Sequence, residues 1–178
     1  MADELKIKDS VMRLLKGDIT DLDIEAFVFY AQPNLVLGSG YGGAIAARGG
    51  PKIQEELKPL GGISTGEAVV SSAGNMKARY IIHAVGPRFQ EENTEEKLRK
   101  TVLSALQRAE EKQIQRLAFP AMGAGFYGVP LDLCSRVTLG TVKEFLEKSQ
   151  KIKEVVFCLR DSRECKAFLD RLQMMTAS

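Results

Sequence analysis

Two stretches of the chain could hold an anion through the backbone alone. Gly38-Ser39-Gly40-Tyr41-Gly42-Gly43 and Gly123-Ala124-Gly125-Phe126-Tyr127-Gly128 both read G-x-G-x-x-G. Glycine allows positive φ and close approach, so successive amides can converge on a phosphate, and a following helix N-terminus adds partial positive charge. Tight strand-to-helix connections use the same spacing, so neither match commits the chain by itself. A nicotinamide-dinucleotide site needs more: the loop must follow its strand at once, and an acidic residue about 20 positions on must end the next strand. Seven residues separate Tyr30 from Gly38, Glu55 and Glu56 fall in a helical segment, and Glu154 precedes its strand. What remains is a pair of loops able to face each other across one diphosphate.

Other chemistry is thinly supplied. Ser39 lacks the G-x-S-x-G setting of a nucleophile elbow. The single histidine, His83, sits in Tyr80-Ile81-Ile82-His83-Ala84-Val85 and reads as a satisfied histidine of a buried strand before it reads as a general base. Glu67, Asp132 and Asp161 are candidate carboxylates only by default, and Asp132 is expected to cap the helix that follows it. No catalytic residue is assigned. No group has metal-ligand spacing, so neither a metal nor another cofactor is expected.

Composition narrows the partners. In 178 residues, Lys and Arg number 25 against 23 Asp and Glu, too small an excess for a protein that neutralises many nucleic-acid phosphates. RNA or poly-ADP-ribose binding would rest on Lys97, Arg99, Lys100 and the 148–153 stretch, which solvated helix faces explain more simply. Cys134, Cys158 and Cys165 are odd in number and lack C-x-x-C spacing, as expected of free thiols in a cytoplasmic protein. The N-terminus does not read as a signal peptide, and the longest charge-free stretch, 26–47, is interrupted by polar residues, proline and glycines, so no membrane segment is expected. Oligomeric state is not legible.

The elements that must position the loops follow from periodicity. Strands are expected at 5–8, 11–16, 26–30, 67–71, 80–85, 116–120 and 154–159. Helices are expected at 44–47, 51–57, 93–112, 131–149 and 162–172. Apolar residues make up 44% and charged residues 27%, enough for an ordinary core, and the length predicts one domain over 1–178. Alternating strands and helices argue for a three-layer α/β/α sandwich around a mixed, mostly parallel sheet, with ligands bound outside the carboxyl ends of the strands.

Four segments in order add a resemblance: Gly17-Asp18-Ile19-Thr20; the strand and glycine loop ending Gly43-Ala44-Ile45-Ala46; His83-Ala84-Val85-Gly86-Pro87; and Ala118-Phe119-Pro120-Ala121-Met122 running into Gly123 to Gly128. Together they resemble the signatures of the macro domain family, along the chain from about Leu5 to Leu172. The resemblance implies an α/β/α domain that binds ADP-ribose, free or attached to protein. It implies that Asp18 accepts a hydrogen bond from the adenine amino group beside the Ile19 backbone. The Ser39, Gly40 and Tyr41 backbone and the loop of Gly123, Ala124, Gly125, Phe126 and Tyr127 would enclose the diphosphate and distal ribose. Arg160 stands where the family often has an aromatic on adenine, and a guanidinium can stack on the base face as well. Each role has a plainer competitor: Asp18 as a turn cap, Phe126 and Tyr127 as core, and Arg160 as a solvated side chain.

The pattern also departs from the family. Members that hydrolyse ADP-ribosyl esters resemble one another in an Asn-Ala-Ala-Asn segment and in an aspartate just before the glycine of Gly-Ala-Ile. Here Phe29 and Gln32 stand at the asparagine positions and Gly42 at the aspartate. Gln32 keeps the capacity to bond a ribose hydroxyl, with Asn34 nearby, but no carboxylate remains to position water. The resemblance therefore favours a binder, with hydrolysis of ADP-ribosyl-protein, O-acetyl-ADP-ribose or ADP-ribose 1''-phosphate as the alternative.

Overall fold

The computed structural model describes residues 3–176. Seven strands form one sheet: β1 (Glu4–Ile7), β2 (Ser10–Lys16), β3 (Ala26–Tyr30), β4 (Ala68–Ser72), β5 (Tyr80–Ala84), β6 (Arg116–Phe119) and β7 (Glu154–Leu159), in the order β1-β2-β7-β6-β3-β5-β4. The five central strands run parallel, and the edge strands β1 and β4 are antiparallel to their neighbours. The described residues also form five α-helices: α1 (Tyr41–Gly49), α2 (Lys52–Leu57), α3 (Thr94–Glu111), α4 (Leu131–Leu146) and α5 (Ser162–Thr176).

Strand alternation sends side chains into two separate cores. Ala26, Val28 and Tyr30 of β3 join Phe119 and Phe157 against the apolar stripes of α3, α4 and α5. Phe27 of β3 joins Ile81, Ala118 and Cys158 against Ile45, Ile53 and Leu57 of α1 and α2. Both faces are thus covered, which is why the inner strands read as continuous apolar runs. Phe119, Phe157 and Phe168 stack in sequence at 6.1 and 5.9 Å between centroids, each ring contributing about 2–3 kcal/mol by burial.

The expected elements are present, with two differences at helix starts. The helix expected at 44–47 begins earlier, at Tyr41, so the end of the first glycine motif is itself helical. Packing of the buried Gly42 and Ile45 outweighs the poor helix propensity of consecutive glycines. Asp132 does not cap α4: Pro130 occupies the cap and no side-chain oxygen bonds the turn, while Asp132 sits in the first turn, where the helix dipole favours its charge. Two cations of the basic segments meet carboxylates, Lys97 with Glu91 at 3.3 Å and Arg99 with Glu144 at 2.8 Å.

His83 is buried in β5, with Nε2 2.8 Å from Ser71 Oγ and its ring edge-on to Phe29 at 6.0 Å. Ser71 Oγ also lies 2.9 Å from the Ser72 carbonyl oxygen, so the serine hydroxyl bridges the ring and the backbone. Burial lowers the His83 pKa to about 4, partly opposed by Glu56. The folded protein thus resists protonation that the unfolded chain accepts near pH 6.5, so His83 lowers stability as pH falls from about 6.5 towards 4. Urea denaturation across that range should show a loss approaching about 3 kcal/mol from this group. His83→Gln should remove that part of the slope, and an unchanged slope would show that His83 is not its source.

Candidate functional site

The parallel strands deliver four loops to one end of the sheet: Gly17–Thr20 after β2, Ala31–Gly40 after β3, Pro120–Gly128 after β6 and Arg160–Asp161 after β7. They surround a cavity of about 370 Å³ between β3 and β6. The sheet creates the opening. β3 pairs with β5 along all five residues but with β6 only through Ala26 and Phe27, so Val28, Phe29 and Tyr30 part from β6 and line the cavity.

Ten of the twelve residues singled out from the sequence line this cavity: Ile19, Gln32, Ser39, Gly40, Tyr41, Gly123, Ala124, Phe126, Tyr127 and Arg160. Asp18 and Gly125 do not, although their chain neighbours do. Asp18 caps the turn Ile19–Asp21, with Oδ1 accepting from Thr20 N at 2.9 Å and Thr20 Oγ1 at 2.6 Å, and Oδ2 lies 3.4 Å from Arg48 Nη2. The Thr20 hydroxyl bond is the main reason that its pKa falls below the usual carboxylate value. Phe126 is not core: it is 81% exposed at the cavity mouth, under the Arg88 guanidinium at 5.5 Å. Its position in a tight turn after β6 lifts it off the sheet. Tyr127 is half-buried against Tyr30 at 4.6 Å.

Both glycine loops present unpaired amides. Gly38 and Gly40 have φ of 69° and 61°, and α1 starts directly after Gly40. The amides of Ser39, Gly40, Tyr41 and Gly42 have no hydrogen-bond partner among the described residues. In the second loop, Gly123 and Gly125 have φ of 84° and 78°, and the amides of Gly123, Gly125, Phe126 and Tyr127 are likewise unpaired among the described residues. Unpaired amides that converge in this way can hold an anion without a side-chain charge of their own.

Side chains give the cavity little reactivity. Burial pushes the Cys158 thiol up to about 12 and the Tyr41 phenol up to about 12, so both are protonated at neutral pH. Gln32 donates to the Val36 carbonyl at 3.3 Å. Among the described residues, no group of three or more His, Cys, Asp or Glu could hold a metal ion. Two participants were missed from the sequence. Glu164, buried on α5, lines the cavity beside Arg160; its spacing from Asp161 reads only as a helix-start signal. Tyr30 donates its hydroxyl to the Pro87 carbonyl and supports the second loop, which nothing in a strand-end tyrosine announces.

Sheet order, helices on both faces and a cavity where neighbouring connections diverge define a three-layer α/β domain with its site at the topological switch point. The Macro domain family profile matches residues 30–138. The chain is 40% identical over 163 residues to a macro domain-containing protein of Caldanaerobacter subterraneus subsp. tengcongensis, covering 88% of this chain and 93% of that protein. It is 37% identical over 164 residues to the ADP-ribose glycohydrolase MACROD2 of Xenopus laevis, covering 88% of this chain and 39% of that protein. Among solved structures, an Oceanobacillus iheyensis macrodomain mutant with ADPR superposes with a TM-score of 0.94 at 26% identity, covering 98% of both chains. A Trypanosoma brucei macrodomain in complex with ADP-ribose gives 0.86 at 30% identity, covering 90% of this chain and 68% of that one. The chain belongs to the macro domain family.

Gly42 stands where the family resemblance puts an aspartate in hydrolytic members, and the structure leaves no room there. A Cβ at Gly42 would overlap the Leu37 carbonyl oxygen, whereas one at Gly43 would meet only the Gly38 carbonyl oxygen at 3.4 Å. Gly42→Ala should therefore cost about 1–3 kcal/mol in urea denaturation. Gly43→Ala should be near neutral, because relief of the glycine helix penalty opposes the close contact. Equal stability of the two variants would refute the close approach.

Proposed function

We propose that the protein binds ADP-ribose, as the free nucleotide or attached to a protein, in a 1:1 complex at this cavity. The observation that carries the reading is the two runs of unpaired amides, from separate loops, beside a single cavity of about 370 Å³. In this reading they grip the diphosphate, with Ser39, Gly40 and Tyr41 on one loop and Gly123, Gly125, Phe126 and Tyr127 on the other, and Ala124 completes the wall of the second loop. Asp18 and Ile19 select adenine, Gln32 bonds a ribose hydroxyl and Arg160 stands at the cavity. Structural neighbours crystallised with ADP and with ADP-ribose support the ligand class. We further propose a single domain acting in the cytoplasm; among the described residues no helix is long and apolar enough to cross a membrane.

Hydrolysis of an ADP-ribose derivative is the alternative raised by the relative named as a glycohydrolase. The cavity gives it no free base. Glu164 is the only carboxylate among the described lining residues, and both its oxygens accept bonds from Arg160. A reader module should capture ADP-ribosylated protein stoichiometrically, and multiple turnovers in the same assay would establish an enzyme instead.

Calorimetry tests the binding reading. Affinity should fall from ADP-ribose to ADP to AMP, and absent or equal binding of the three would refute a diphosphate-centred site. Asp18→Ala should cost about 1–3 kcal/mol with ADP-ribose and should narrow the preference for ADP over GDP. Unchanged affinity would remove Asp18 from the site.

A further inference from the structure

The cavity contains one full positive charge, and its position does not suit a residue devoted to the base. Among the described lining residues only Arg160 and Glu164 are charged. Glu164 is 4% exposed, and it anchors Arg160 at three points: Oε1 accepts from the Arg160 amide at 2.8 Å, and Oε2 lies 3.3 Å from Nε and 3.2 Å from Nη2. Glu164 is fixed in turn by its own amide, which donates to Asp161 Oδ1 at 2.9 Å. This tether restrains the guanidinium, whose planar head has five N–H donors and still has some to spare. The Arg160 side chain remains 47% exposed.

Its neighbours belong to both glycine loops. The guanidinium carbon lies 5.9 Å from the centre of the Tyr41 ring, on the first loop. On the second loop, Nη2 lies so close to Gly125 that a Cβ there would stand 3.3 Å away. Arg160 therefore lies near the Tyr41 side chain of the first loop and the Gly125 backbone of the second. A diphosphate held by those amides brings more negative charge than any other part of an ADP-ribose molecule, and a tethered guanidinium forms strong charge-assisted bonds with phosphate oxygens.

We propose that Arg160 is a diphosphate-contacting residue and that Glu164 is the positioning residue that holds it across the cleft, in place of the adenine-stacking role expected from the sequence. The inference rests on the binding reading above. It assigns the protein a salt-sensitive cationic component of affinity that a site made of backbone amides alone would lack.

Calorimetry with ADP-ribose, ADP, adenosine and inorganic pyrophosphate, repeated at several salt concentrations, separates the possibilities. Arg160→Gln should weaken ADP-ribose, ADP and pyrophosphate about 10- to 100-fold, flatten the salt dependence and leave adenosine unchanged. Arg160→Lys, which keeps the charge without the plane, should restore part of the affinity and the salt dependence. Glu164→Gln should weaken the phosphate ligands less than Arg160→Gln does and leave adenosine unchanged. Equal losses for adenosine and ADP, with no rescue by lysine, would assign Arg160 to the base and overturn the proposal. Normal ADP-ribose binding by Arg160→Gln would overturn this proposal alone, whereas a parent protein that binds neither ADP-ribose nor pyrophosphate would overturn the binding reading as well. Circular dichroism of each variant verifies that the fold persists.

Discussion

The site exists because β3 and β6 stay paired for only two residues. Beyond Phe27 and Ala118 the strands diverge: β3 continues along β5, and the Ala31 amide extends that pairing to the Ala84 carbonyl at 2.8 Å. β6 instead ends at Phe119 and passes into Pro120, which has no N–H to donate to a ladder. The chain connections leave in opposite directions, β3 towards the β5 side and β6 towards β7, so nothing from the sheet fills the gap. A crevice at that point is a consequence of topology, and the loops on either side determine what it can hold.

Each loop is anchored to a different layer. The first is tied to α2 through Gln54, whose Oε1 accepts from the Leu37 amide at 3.0 Å and whose Nε2 donates to the Leu35 carbonyl at 3.1 Å. The second is tied to the opposite face through Tyr30, which packs on Tyr127 and bonds the Pro87 carbonyl. Tyr30 leaves no space for a side chain at Gly86 and comes within 3.3 Å of where a Cβ on Gly123 would stand. The Phe89 amide donates to the Tyr127 carbonyl at 2.9 Å and adds a further tie. Burial pushes the Tyr30 phenol far above its usual value, so it serves as a neutral donor at any physiological pH. With both loops fixed independently, the separation of their amides is set by the sheet between them.

Period-two and helical patterns made the elements and the layer order legible, because apolar alternation records burial directly. The glycine loops were legible for a related reason: Gly38, Gly40, Gly123 and Gly125 all adopt positive φ, which the residue type itself announces. Residues acting across the fold left weaker traces. Glu164 reads locally as a helix-start residue, and only the approach of α5 to the β7 end turns it into a cavity carboxylate. Phe126 reads more readily as core than as wall, because adjacent aromatics after a strand carry no signal about which way a turn projects them. Asp132 fits a capping preference that the chain does not use, since Pro130 precedes α4 and Asp132 falls within its first turn.

Phe29, Gln32 and Gly42 are departures from the hydrolytic pattern, and each is fitted to its own neighbours. Phe29 packs edge-on to the buried His83, Gln32 bonds the Val36 carbonyl while its Nε2 lies 2.7 Å from where a Cβ on Gly38 would stand, and Gly42 lies under the Leu37 carbonyl. A carboxylate at position 42 would require Leu37 to move, but its amide is held by Gln54 and its side chain is buried among Ile45, Ile53 and Leu57. Introducing a side chain at position 42 is therefore a matter of refolding the first loop rather than exchanging one residue. The same close packing leaves the Ser39 to Gly42 amides unpaired, which is the property an anion needs. The loop geometry thus leaves amides unpaired beside the cavity while excluding a side chain at position 42.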